Sequence, residues 1–206
     1  MSPLLPVGAY QHSQGLEQAV ARGWIPDADA AGLWIEGLLR HVVAHVDIPV
    51  AIRARDAWAI GDAAAVVRWN RICYACRETA QGRREETDMG SALMRLLRGL
   101  DEPTPSRPLG FVAAFGVAGA NAGLASKEVA AGLAWAWCEN QTLAAVKLAR
   151  LGHITGQRVL RRVGGTLEEV VSAGMKVADD DIGRSAPYLA LAGAWHETQP
   201  ARLYRS

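Results

Sequence analysis

The chain has 206 residues, 50% of them hydrophobic, and 22 Lys and Arg stand against 21 Asp and Glu for a formal net charge of +1. That length can bury a sizeable core without covalent staples, and one domain is the expectation. The near-neutral balance gives no global field to draw in nucleic acid or an anionic membrane, so neither is expected as a partner. Cys73, Cys76 and Cys138 are too few and too scattered for a disulfide scaffold. The amino terminus has no basic start followed by a long apolar segment, and a cytoplasmic protein is expected.

Period-two alternation is hard to find anywhere, and the fold class read from the pattern is all-α, a single-domain helical bundle over residues 1–206. Pro3, Pro6 and Gly8 set an irregular entry. Ser13 can cap a short helix ending at Gly23, and Asp27 a second one carrying Leu33, Trp34, Leu38, His41, Val42 and His45. Asp47 with Pro49 is expected to end that helix, and Pro49 to open the next. Gly61-Asp62 then caps a helix with Val66, Trp69, Cys73 and Tyr74, which is expected to run on into the charged stretch Arg77–Asp88. Met89, Leu93, Leu96 and Leu97 restore an apolar face.

Gly99–Pro108 holds three prolines and no periodicity, and reads as a connection between two halves of the bundle. Leu109–Ala125 carries no charge. Its glycines suit close packing of a buried central helix better than a membrane span, for which it is barely long enough. Ser126 is expected to cap a long helix to Ala149, Gly152 to interrupt it, and Ile154–Val163 to follow. Thr166-Leu-Glu-Glu169 has the form of a capping box. Pro187 opens a terminal helix, Pro200 breaks it, and residues 187–206 read as a helix plus a docking tail rich in Arg and Tyr.

No glycine loop for phosphates, dinucleotide fingerprint or nucleophile elbow appears, so no catalytic residue is nominated and the chain is not expected to be an enzyme. A small helical enzyme whose groups meet only in space is the weakest alternative. His41 and His45 stand one helical turn apart and are the candidate metal ligands, although paired histidines on a half-buried face are commonly structural. A direct metal carrier would use them, with His12 or His153. Cys73 and Cys76 lack a second pair and are explained by packing.

Several stretches together resemble the urease accessory protein F (UreF) family. Leu5-Pro-Val-Gly8 followed by Ser13-Gln-Gly-Leu-Glu17 is similar to its amino-terminal signature. Arg77-Glu-Thr79 with Met89-Gly90 and Ala92-Leu93 resembles its central motif, and Glu139-Asn-Gln141 with Lys147-Leu148, Leu151-Gly152 and Gly156-Gln157 the next. His196-Glu-Thr-Gln199 followed by Arg202-Leu-Tyr-Arg-Ser206 is the most distinctive. One departure is Arg150, where a proline is common, which would let the preceding helix continue.

The resemblance implies a chaperone or adaptor in assembly of the urease nickel metallocentre. It implies a homodimer that binds a UreD- or UreH-type partner, recruits the UreG GTPase, engages apo-urease and modulates GTP hydrolysis. Nickel and GTP would belong to those partners, with no cofactor on this chain. On this view His196, Glu197, Gln199, Arg202, Leu203, Tyr204 and Arg205 contact the UreD- or UreH-type protein, and Arg77, Glu78, Lys147 and Gln157 are further partner contacts. Glu197–Ser206 is expected to be mobile alone and fixed in the complex.

Overall fold

The computed structural model describes residues 7–206, and Pro3, Leu5 and Pro6 of the entry segment lie outside them. It is all-α: α1 (Leu16–Ala21), α2 (Ala28–Leu38), α3 (Ile48–Ala59), α4 (Ala63–Ala75), α5 (Ala80–Gly99), α6 (Phe111–Asn121), α7 (Ser126–Leu148), α8 (His153–Gly164), α9 (Leu167–Met175) and α10 (Pro187–Glu197). Asp27 and Asp62 cap α2 and α4 as their positions predict, accepting from Ala30 N and Ala65 N at 2.8 and 2.9 Å.

The expected stop at Asp47-Pro49 does not occur. A π-helical segment, Leu39–Asp47, joins α2 to α3 without a break, and Asp47 itself has helical torsions. The wider π turn makes room for the Pro49 ring, which would otherwise strike the carbonyl four residues back. That carbonyl, of His45, accepts instead from Gly183 N at 3.1 Å, in the loop before α10. A tertiary partner thus satisfies the group that proline leaves free, so proline need not end the helix.

α3 is buried on two faces. Val50 and Ala54 join a cluster with Val46, Trp69, Met89, Leu93 and Val117, while Ile48 and Ile52 join Val43, Cys138, Val163 and Val170. α6 lies against α3 and α7 where small residues allow it: a Cβ on Gly116 would sit 2.4 Å from the Ala51 carbonyl oxygen of α3, and one on Gly119 would sit 2.4 Å from Val129 of α7. The charge-free run is therefore largely core from Leu109 to Gly119, with Ala122–Ala125 exposed beyond the end of α6, and among the described residues no helix is long and apolar enough to cross a membrane. A third cluster links Leu16, Ala19, Ile25, Ala31, Ala144 and Ala145 to Tyr204.

Three further boundaries differ from expectation. The helix through Cys73 stops at Cys76, and Thr79 starts α5 afresh by accepting from Gly82 N at 3.0 Å, so the charged stretch is split by a turn at Arg77-Glu78. The cap of α7 is Ala125, whose N donates to Glu128 Oε2 at 2.7 Å; Ser126 donates to Asp56 Oδ1 instead. No capping box forms at Thr166, whose hydroxyl donates back to Val163 O at 2.8 Å.

Nor does Arg150 extend α7. It adopts a left-handed conformation, φ 52°, while Leu151 N closes the helix end onto Val146 O at 3.0 Å. A side chain there costs about 1 kcal/mol relative to glycine. Arg150→Gly should accordingly raise the unfolding midpoint by roughly 2–4 °C in a thermal melt. A decrease would show that the arginine side chain contributes more than the turn strains.

Candidate functional site

Four stretches far apart in sequence meet at one buried polar network beneath α10 and the terminal segment. The segment before α1 supplies it first. Gln14 and Gly15 are both left-handed, φ 50° and 78°, which turns the chain sharply and aims Gln14 inward. Its Nε2 donates to Glu85 Oε1 at 2.6 Å and its Oε1 accepts from Trp137 Nε1 at 2.6 Å. Gly15 is where α10 closes down: a Cβ there would lie 3.1 Å from Ala192 and 3.2 Å from Leu189.

The terminal segment is docked, which corrects the expectation that Glu197–Ser206 is mobile in the free chain. Arg205 N donates to Gln11 O at 2.8 Å, and Ser13 N and Oγ donate to Ser206 O at 2.9 and 2.7 Å. Ser206 Oγ gives its proton to Glu85 Oε2 at 2.7 Å, so His12 Nδ1, 3.0 Å away, is a donor to that same hydroxyl. Asn140 Nδ2 holds the same turn by donating to His12 O at 3.1 Å.

Glu17 is the principal anchor. Its two oxygens accept from Leu203 N and Tyr204 N at 2.9 Å each, from Gln199 Nε2 at 3.2 Å and from His196 Nε2 at 3.1 Å. Burial alone raises the Glu17 carboxyl, but these donors and the His196 ring outweigh it and hold the group below the usual carboxylate range. His196 is fully buried, with its other ring nitrogen 2.7 Å from Gln81 Oε1. An amide can serve that nitrogen as acceptor or donor, so the pairing survives either protonation state.

Arg77 occupies the opposite side of the network. One Nη donates to Asp47 Oδ1 at 2.7 Å and to Glu86 Oε2 at 2.8 Å, and Nε reaches Glu86 Oε2 at 3.2 Å. Burial disfavours the guanidinium, yet the Asp47 and Glu86 carboxylates more than offset it and keep the group charged. Glu86 Oε1 accepts from Val112 N at 2.9 Å and so ties down the start of α6. Gly90 completes the joint: a Cβ there would lie 2.3 Å from the Leu109 carbonyl oxygen, too close for any other residue. Gly90→Ala should therefore cost about 1–3 kcal/mol in denaturant unfolding, since backbone must shift.

Between these groups lies a cavity of about 130 Å³, lined among others by Gln14, Asp47, Arg77, Glu85, Trp137 and Asn140. Asp47, Arg77, Glu85 and Glu86 on its walls are already committed to hydrogen bonds within the fold. Burial pushes the Cys138 thiol up to about 12, Cys73 well above its usual value and the half-buried Cys76, which lines the cavity, above its own, so each favours the protonated thiol. Among the described residues no group of three His, Cys, Asp or Glu is placed to hold a metal ion. His41 is exposed, and His45 Nδ1 lies 2.9 Å from Arg40 O across the π turn.

The sequence-predicted contacts fall into two sets. His196 and Tyr204 are buried, Arg77 is half-buried with its guanidinium turned inward to Asp47 and Glu86, and Gln199 is held through Gln18 and Glu17. Glu197 is exposed but accepts from Ala80 N at 2.8 Å at the start of α5, and Glu78 accepts from Ser185 Oγ. Arg202, Leu203, Arg205, Lys147 and Gln157 remain outward, with the Lys147 ammonium 5.5 Å from the Tyr204 ring centroid. Sequence reasoning missed Gln14, Asp47, Gln81, Glu85 and Glu86 as members of the network. A signal for two of them exists: Glu85 and Glu86 precede Met89 by one turn and share the apolar face of Met89, Leu93 and Leu97.

The matching of this chain to known proteins agrees with that convergence. The UreF family model matches residues 25–164. "Urease accessory protein UreF" of Alkalilimnicola ehrlichii is 43% identical, covering 100% of this chain and 92% of that protein. Those of Chromohalobacter salexigens and Teredinibacter turnerae are 42% and 40% identical, again over 100% of this chain, and over 91% and 95% of their own lengths. Matched over its whole length at such identity, this chain belongs to the UreF family of urease accessory proteins.

Proposed function

We propose that the chain is a non-catalytic adaptor in urease maturation, working in the cytoplasm as a homodimer. It bridges a UreD- or UreH-type accessory protein and the UreG GTPase, modulates GTP hydrolysis and presents the assembly to apo-urease. Nickel and GTP travel on those partners as cargo and fuel. One observation supports this reading above the others: the network spends its ionisable groups on fixing a terminal segment whose Arg202, Leu203 and Arg205 side chains point to solvent. Two cations flanking an aliphatic anchor on a backbone already ordered lower the entropic cost of docking.

Point variants test this better than truncation, because removing residues 196–206 would also remove the buried His196 and Tyr204. Arg202→Glu with Arg205→Glu should leave the melting temperature nearly unchanged, both side chains being exposed, and should abolish co-purification with the UreD- or UreH-type protein. Full co-purification of that variant would sink the reading.

A further inference from the structure

We propose that the outward face of α7 and α8 is a second docking surface, built for an acidic amphipathic segment of a partner protein. It deepens the adaptor reading and rests on that reading only for the partner's identity. α8 is wedged between two helices. Gly156 and Gly164 face α7, where a Cβ would meet Val146 and Trp135 at 2.4 and 3.3 Å. On its other flank Arg162 pairs with Glu36 and Asp29 of α2 at 2.8 and 3.4 Å. Val159 and Val163 are buried.

What is left points to solvent: Ile154, Arg158 and Arg161, each one turn from the next, with Gln157 beside them. The neighbouring edge of α7 adds Leu143 and Lys147, also one turn apart. Ile154 is 72% exposed and Leu143 65%, unusually bare for large aliphatics. Among the described residues, Lys147, Arg158 and Arg161 make no ion pair, whereas Arg162 on the same helix makes two. The half-buried Glu139 is the acidic residue on this stripe of α7.

This alternation of unpaired cations with aliphatics spans about 10 Å along α8, near two turns of helix. It matches a segment that carries carboxylates and aliphatic side chains on one face, the aliphatics covering Ile154 and Leu143 and the carboxylates reaching Arg158, Arg161 and Lys147. A nucleic acid or an anionic membrane fits less well. Few cations are present, they are separated by apolar side chains, and the chain as a whole carries only +1.

The test compares Arg158→Glu/Arg161→Glu with the unaltered full chain and with Arg202→Glu/Arg205→Glu. Each is mixed with the purified accessory proteins and apo-urease, and also with a synthetic helical peptide of Glu and Leu at turn spacing. The α8 reversal should weaken one protein association about tenfold or more while sparing the one lost in the tail variant. The peptide should shift amide resonances of residues 143–161 in the unaltered chain, more weakly as salt rises, and not in the reversal.

Protein associations unchanged by the α8 reversal overturn the proposal, as do anionic vesicles or an oligonucleotide duplex that displace the peptide equally well. If the unaltered chain binds none of the accessory proteins, the adaptor reading fails. The peptide then decides the surface alone: binding that the reversal abolishes supports it, and no binding overturns it.

Discussion

Arg77→Ala should destabilise the protein by about 3–5 kcal/mol, the cost of leaving buried charge without its partner. The variant leaves two carboxylates, Asp47 and Glu86, facing each other's field inside the core with nothing to neutralise them. Asp47 lies at the end of the π segment and Glu86 also holds Val112 N, so the damage spreads to the junctions of α3, α5 and α6. In a thermal melt this corresponds to roughly 6–20 °C for a chain of this size. Arg77→Lys should fall between the two, because an ammonium keeps the charge but cannot fork to both acids. If Arg77→Ala melts within about 2 °C of the unaltered chain, the guanidinium is a surface contact after all and the network is not what joins these helices.

Glu17→Ala should instead produce a local effect. Its carboxylate is the shared acceptor for Leu203 N, Tyr204 N, Gln199 and His196, and hydrogen bonds to a charged group contribute about 1.5–3 kcal/mol each before compensation by water. Losing them should free the terminal segment, read as fast amide exchange at Leu203 and Tyr204 and as new proteolytic cleavage after Arg202. The melting temperature should fall less than in Arg77→Ala, since α3, α5 and α6 keep their joints. Unchanged exchange at those two amides would show that Ser206 and its partners suffice to hold the segment.

The same contact sets a pH dependence. The Glu17 carboxyl titrates below its ordinary value in the folded chain, so the unfolded state binds its proton first as pH falls. Its stabilisation is complete above about pH 4.3, the ordinary glutamate value, and is lost as pH drops through the lowered folded value. Protection of Leu203 and Tyr204 should thus persist at neutral pH and in mild acid, and vanish only below about pH 4.3 as the carboxyl takes up its proton. Glu17→Gln, which cannot ionise, should remove that acid step.

If the terminal segment is held this way, partner binding starts from an ordered surface. The exposed Arg202 and Arg205, flanking Leu203, would then be contacts whose reversal changes association and its salt dependence more than fold stability. Buried His196 and Tyr204 would act one step removed, by fixing the backbone that presents those side chains. The two groups of residues separate experimentally: the first should alter complex formation alone, the second both the fold and the complex.

The sequence by itself determined the helical class, the breaks at Gly61-Asp62 and Gly99–Pro108, the burial of Leu109–Gly119 though not of Ala122–Ala125, and the family, because these rest on local chemistry and on motifs read in order. Aspartates that can accept from the amides of the following turn cap helices wherever they stand. Only the tertiary structure decided the rest. Pro49 reads as a helix boundary until Gly183, far along the chain, takes up the His45 carbonyl. Asp47 reads as part of that boundary until Arg77 is folded against it. The terminal segment, with its basic and aromatic residues, reads as a mobile docking element. Its anchor, Glu17, lies near the opposite end of the chain, and no local pattern couples a carboxylate there to the amides of Leu203 and Tyr204. Which residues are exposed for a partner and which are spent on holding them in place is a property of that long-range pairing.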